Sequence, residues 1–193
     1  MLTRLRPFAS KLLEYPARFL AFLPADLYTV VSLVPAILYL MACFRGDAFA
    51  GLVLLVLGSL LDAIDGAVAR ARGEAGPRGA FLDSVIDRVS DSMYVMGFLF
   101  LGYNPYLVYV VLVGFLLVSY TRARFEGLTG KSMEGLGIME RSDRIIFFTV
   151  VLLLHYLGYM NIANRLLFVA AILTWLTVLQ RLVRWYSMLP RKL

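Results

Sequence analysis

The chain has 193 residues, 61% of them hydrophobic and only 17% charged, with a mean hydropathy of +0.78, values that argue against a water-soluble globule. One cysteine, Cys43, and one histidine, His155, supply neither a disulfide framework nor a Cys/His zinc site. The net charge of +6 is spread between apolar runs and forms no basic stripe with interleaved aromatics, which points to an anionic membrane face and anionic substrates and away from nucleic acid.

In residues 1–22, Leu5, Leu12 and Phe19 recur every seven positions beside Arg4, Lys11 and Arg18, a pattern that predicts a juxtamembrane amphipathic helix lying in the interface. Six apolar runs follow, each predicted to be a membrane-spanning helix: Leu27–Phe44, Ala48–Val68, Phe81–Leu101, Tyr106–Tyr120, Ile145–Tyr159 and Ile162–Trp185. The turns between them are short, Arg45-Gly46-Asp47 and Asn104-Pro105 among them, as in a single six-helix bundle over residues 27–185. The expected fold class is therefore all-α and integral to the membrane, one domain over residues 1–193. All Lys and Arg except Arg45 and Arg165 fall to one side of such a bundle, so both termini and the charged connections are expected in the cytoplasm.

The second run ends in Asp62 and Asp65, and the third opens with Asp83 and Asp87. An ionised carboxylate near hydrocarbon costs several kcal/mol unless it is paired, metal-bound or wet. At spacings i, i+3 and i, i+4, each pair shares a helix face, and two such faces packed together make an oxygen cage. Oxygen donors without nearby His or Cys favour Mg²⁺ or Mn²⁺. The small residues Gly66, Ala67, Ala69, Gly79 and Ala80 let a phosphorylated ligand approach the backbones, with Arg70 placed to meet a phosphate. A cation-coupled transporter is the competing class for acids in this setting.

The spacing D-x2-D-G-x2-A-R-x8-G-x3-D-x3-D, from Asp62 to Asp87, resembles the signature of the CDP-alcohol phosphotransferase family at every fixed position. The resemblance implies a membrane enzyme, embedded in the cell membrane with its active site on the cytoplasmic side, that transfers a phosphatidyl- or archaetidyl-type group from a CDP-linked lipid to an alcohol and releases CMP. It implies that Asp62, Asp65 and Asp83 hold two Mg²⁺ or Mn²⁺ ions, with Asp87 a further ligand or the catalytic base. It places CDP contacts at Asp62, Gly66, Ala69, Arg70 and Gly79, with Thr29 added from a looser match at the entry to the first run. It also implies a homodimer among membrane lipids.

The segments Tyr120–Glu126 and Gly137–Arg144 are similar to the branch of the family that makes phosphatidylinositol phosphate or archaetidylinositol phosphate. In that branch the acceptor is inositol phosphate, and the resemblance assigns its phosphate to Arg122, Arg141 and Arg181. Glycerol 3-phosphate is the alternative acceptor. Arg141 and Arg144 could equally open a solvated helix, and Asp91, one turn beyond Asp87, either joins the polar network or pairs with Arg88.

Overall fold

Each long helix begins and ends where the local chemistry supplies a stop. In the computed structural model, which describes Tyr15, residues 19–131 and residues 137–189, seven helices carry the chain: α1 Ala25–Val31, α2 Leu33–Phe44, α3 Ala48–Arg72, α4 Pro77–Phe100, α5 Pro105–Thr129, α6 Arg141–Tyr156 and α7 Met160–Met188. Asp47 caps α3 by accepting the Ala50 N–H at 2.9 Å, and Gly73, with φ +69°, ends it in a left-handed conformation that disfavours residues bearing a Cβ. Proline occupies the first position of α4 and of α5, where no intrahelical N–H is needed. A reciprocal capping box of Glu140 and Asp143 opens α6.

The predicted first run proves to be two helices. Ser32 separates α1 from α2, its hydroxyl bonding the Thr29 carbonyl at 2.6 Å, and Pro35 has no N–H with which to continue the ladder. The expected interfacial helix over 1–22 falls almost wholly outside the described residues.

The connections from α2 onward are short, so those helices alternate in direction, but sequence neighbours are not always packing partners. The helices close a ring in the order α2, α4, α5, α7, α6, α3, with α1 against α3 and α4. The two acid-bearing helices, α3 and α4, scarcely touch, and the gap between their charged ends is the site. At the other end a common core fills the ring: Tyr39 and Tyr94 meet edge to face at 5.2 Å, and Phe148 packs on Phe98 at 4.9 Å and on Phe115 at 5.1 Å. Val53, Leu57, Leu116, Leu179 and many other large apolar side chains face outward.

The described residues are all-helical, with no strands. Four helical stretches are long and apolar enough to cross a bilayer: Ala25–Phe44, Ala48–Arg72, Pro105–Thr129 and Met160–Met188. Of the six predicted spans, the third and fifth correspond to α4 and α6, which are not among these four. The site chemistry explains the difference for α4, whose first two thirds hold Asp83, Asp87, Arg88 and Asp91; α6 has only 16 residues.

Candidate active site

Helix geometry decides which acids converge. At about 100° per residue, positions four apart diverge by only about 40° and positions three apart by about 60°. Asp83 and Asp87 accordingly stand together and are joined by Asp62 from α3, with one carboxylate oxygen from each lying within 4.8 Å of the others. Asp65, the fourth predicted ligand, lies outside this trio. It is buried on the side toward α1, and its Oδ2 has no hydrogen-bond partner among the described residues. Three converging carboxylates, with a fourth carrying an unpartnered oxygen, fit a hard divalent cation.

Two cavities meet at these acids. One, of about 200 Å³, is lined by Thr29, Asp65, Gly66, Ala69, Arg70, Gly79 and Asp83, which gathers every predicted CDP contact except Asp62. The other, of about 280 Å³, holds Asp83 and Asp87 together with Arg122, Arg141 and Arg181. These three arginines arrive from the end of α5, the start of α6 and the last third of α7, Arg88 of α4 and Arg144 of α6 also line the cavity, and sequence spacing alone could not show that they share one chamber. Ala80 and Asp83 belong to both walls.

The charges are closely matched. Arg141 donates to Asp62 Oδ2 through one terminal nitrogen, lies 2.9 Å from Asp87 Oδ1 through the other, and reaches Asp91 with Nε at 3.2 Å. Arg88 contacts Asp87 at 3.2 Å and donates to the Ser84 carbonyl at 2.9 Å. Arg122 pairs with Glu126 at 3.0 Å, and Arg181 is buried, donating to the Val118 carbonyl with its guanidinium over Trp185 at 5.2 Å.

The structure decides between the alternatives that the sequence left open. The start of α6 is not a solvated helix end: Arg144 is 3% exposed, and Glu140 and Asp143 are also buried. Asp91 pairs with Arg141 and Arg144, not with Arg88. Glu74 had no signal at all in the sequence; it accepts the Ala25 N–H at 3.1 Å and the Arg72 Nε at 2.7 Å, tying the α3–α4 connection to the start of α1. Those two contacts hold its carboxyl below the usual glutamate range. His155 is a packed residue, as its position suggests, with Nδ1 at 3.3 Å from the Tyr103 hydroxyl.

A gap between two acid-bearing helices, flanked by a small-residue cavity and an arginine-lined one, matches the family whose signature the sequence carries. The model of the CDP-alcohol phosphatidyltransferase family matches residues 22–189, and the chain belongs to that family of membrane enzymes. It is 40% identical to the archaetidylinositol phosphate synthase of Aeropyrum pernix, over 93% of each chain, and 35% identical to that of Pyrococcus horikoshii, over 94% of each. Its fold superposes on the phosphatidylinositol phosphate synthase of Mycobacterium tuberculosis crystallised with CDP-DAG bound, with a TM-score of 0.81 and 26% identity, covering 92% of this chain and 94% of that one. The same enzyme crystallised with manganese and citrate matches with a TM-score of 0.76 at 26% identity, over 94% of this chain and 88% of that one. Membership of an enzyme family displaces the transporter reading of the acids.

Proposed function

We propose that the enzyme transfers a phosphatidyl- or archaetidyl-type group from a CDP-linked lipid to inositol phosphate and releases CMP. The observation that carries this reading is the junction of the two cavities at Asp83. A small-residue chamber on one side suits the CDP group, and an arginine-lined chamber on the other suits a phosphorylated alcohol.

Asp62, Asp65, Asp83 and Asp87 would hold two Mg²⁺ or Mn²⁺ ions, which when bound supply charge neutralisation of the pyrophosphate and of the leaving CMP. Gly66, Ala69 and Gly79 let the donor lie against the backbones of α3 and α4, while Arg70 and Thr29 stand where its polar groups pass. Arg122, Arg141 and Arg181 receive the acceptor phosphate, for which the planar guanidinium gives paired hydrogen bonds. This aims the acceptor hydroxyl at the lipid-side phosphorus. Asp87, on the acceptor wall, takes the hydroxyl proton as the new O–P bond forms and the bond to CMP breaks.

In the same reading α4 and α6 complete six crossings, the chain forms one domain, and both termini and the site face the cytoplasm. The homodimer implied by the family resemblance belongs to this proposal too, and light scattering on detergent-purified enzyme checks it.

The deciding experiment follows CMP release by purified enzyme with Mg²⁺ and ester- or ether-linked CDP-lipid, comparing inositol phosphate, glycerol 3-phosphate, free inositol and no acceptor. Release that requires inositol phosphate and drops at least a thousandfold in Asp87→Asn is expected. Release with glycerol 3-phosphate alone would keep the acid site and overturn the acceptor assignment.

A further inference from the structure

Asp91 lies outside the eight fixed positions of the motif, yet its placement ties the two arginines at the start of α6 to one point on α4. Its carboxylate is 5% exposed as a residue and divides its oxygens between two arginines: Oδ1 accepts from Arg141 Nε at 3.2 Å, and Oδ2 from Arg144 at 3.3 Å. Arg144 is fixed from behind, donating to the Phe115 carbonyl at 3.2 Å and lying over the Phe115 ring at 4.4 Å. A continuous line of contacts therefore runs from the backbone of α5 through Arg144 and Asp91 to Arg141. With Nε held, the two terminal nitrogens of Arg141 point at Asp62 and Asp87, on the edge of the arginine-lined cavity.

We propose that Asp91 is a positioning residue for acceptor recognition: braced by Arg144, it holds the guanidinium of Arg141 at the boundary between the acid cluster and the acceptor cavity. The inference rests on the reading of Arg141 as a ligand of the acceptor phosphate. Phosphate recognition by a guanidinium depends on the direction of its N–H groups, and a long side chain held at its Nε loses far less rotamer freedom on binding than a free one. Asp91 is not on the cavity wall and need not touch the substrate; Arg144 lines the cavity but is only 3% exposed. The competing role is structural: Arg144 is a buried cation, and Asp91 is its counter-charge.

The test compares Asp91→Asn, Arg141→Ala and the double variant in detergent, measuring KM for inositol phosphate, KM for CDP-lipid and kcat. A positioning role raises the acceptor KM at least tenfold in Asp91→Asn, leaves the donor KM within twofold, and adds less than a further twofold to Arg141→Ala, because neighbours acting through one group are not additive. An equal rise in both KM values, or a loss of kcat in proportion to the folded fraction, overturns it in favour of the counter-charge role. If Asp91→Asn does not fold, the paired variant Asp91→Asn with Arg144→Gln removes the buried charges together; a raised acceptor KM there to which Arg141→Ala adds less than a further twofold supports the proposal, and a wild-type value or a fully additive effect of Arg141→Ala overturns it. An unchanged acceptor KM in Arg141→Ala sinks the acceptor reading and this inference with it. A raised value there beside an unchanged one in Asp91→Asn sinks this inference alone.

Discussion

Gly66 faces the small-residue cavity proposed to take the donor, and a Cβ built on it meets nothing closer than an Arg70 terminal nitrogen at 3.5 Å, an ordinary contact with the end of a flexible side chain. Packing does not demand glycine there, and helix propensity favours alanine by about 1 kcal/mol. A glycine that costs the helix stability without a steric need is explained by a ligand that comes close to the backbone. Gly66→Ala is therefore expected to melt at or above the wild-type temperature while its KM for CDP-lipid rises about tenfold or more, because a methyl group takes room from a chamber of only about 200 Å³. A thermal melt beside donor titration reads both effects, and an unchanged donor KM would separate Gly66 from the nucleotide. Gly79 stands in the same relation to Asp26, whose Oδ1 lies 3.6 Å from the position of its Cβ.

Gly97 shows the opposite balance, and its consequence belongs to the seam between α2 and α4. Its Cβ would run into the ring of Tyr39, which cannot withdraw because its hydroxyl donates to the Tyr94 carbonyl at 2.8 Å and the core surrounds it. Overpacking of about 1–3 kcal/mol outweighs the propensity gain, so Gly97→Ala should destabilise the bundle without selective change in either KM; denaturation in detergent measures it. The α3–α4 connection offers a third case. Because the Ala25 N–H and Arg72 depress the Glu74 carboxyl, the charged strap is in place above the ordinary glutamate value of 4.5 and is lost as pH falls through the lower value it has when folded. Glu74→Ala is expected to raise the donor KM several-fold and to leave the acceptor KM alone, and the acid-side rise of its donor KM should be smaller than that of the wild type. The contrast between these elements shows what spacing can and cannot reveal. The motif was legible because its pairs lie three or four residues apart on single helices; that Asp65, about 60° round α3 from Asp62, lines the small-residue cavity depends on the packing of α1 against α3, which spacing does not give. Glu74 meets Ala25 across 49 positions and Arg144 meets Asp91 across 53, separations on which local periodicity is silent. The ring order, which sets α2 between α3 and α4, was hidden for the same reason. The break at Ser32 was locally readable in Pro35, but the apolar run concealed it.

Whether α4 and α6 cross the bilayer is a question for the whole molecule. A 24-residue helix spans about 36 Å at 1.5 Å per residue, ample for a hydrocarbon core, so only charge counts against α4. Those charges are not bare: Asp87 and Asp91 face Arg88, Arg141 and Arg144, and the charged residues of α4 all lie in its two thirds nearest the α3–α4 connection. Beyond them α4 is apolar from Met93 to Phe100 and packs into the common core. If α4 failed to cross, the α4–α5 turn would sit on the same side as the α3–α4 connection, and α5 would have to leave the ring. Cysteine mapping decides between these arrangements cleanly, since Cys43 is the single cysteine and is buried. In a Cys43→Ser background, Tyr106→Cys and Tyr159→Cys, at exposed positions by the α4–α5 and α6–α7 turns, should react with a membrane-impermeant maleimide in intact cells. Leu128→Cys and Ser187→Cys, exposed at the end that holds the arginines, should react only in inverted vesicles. Labelling of Tyr106→Cys from the same side as Ser187→Cys would overturn the six crossings, whereas reversal of all four would keep the crossings and turn the active site outward. The positive-inside rule predicts against that reversal, because among the described Lys and Arg only Arg45 and Arg165 lie at the far end.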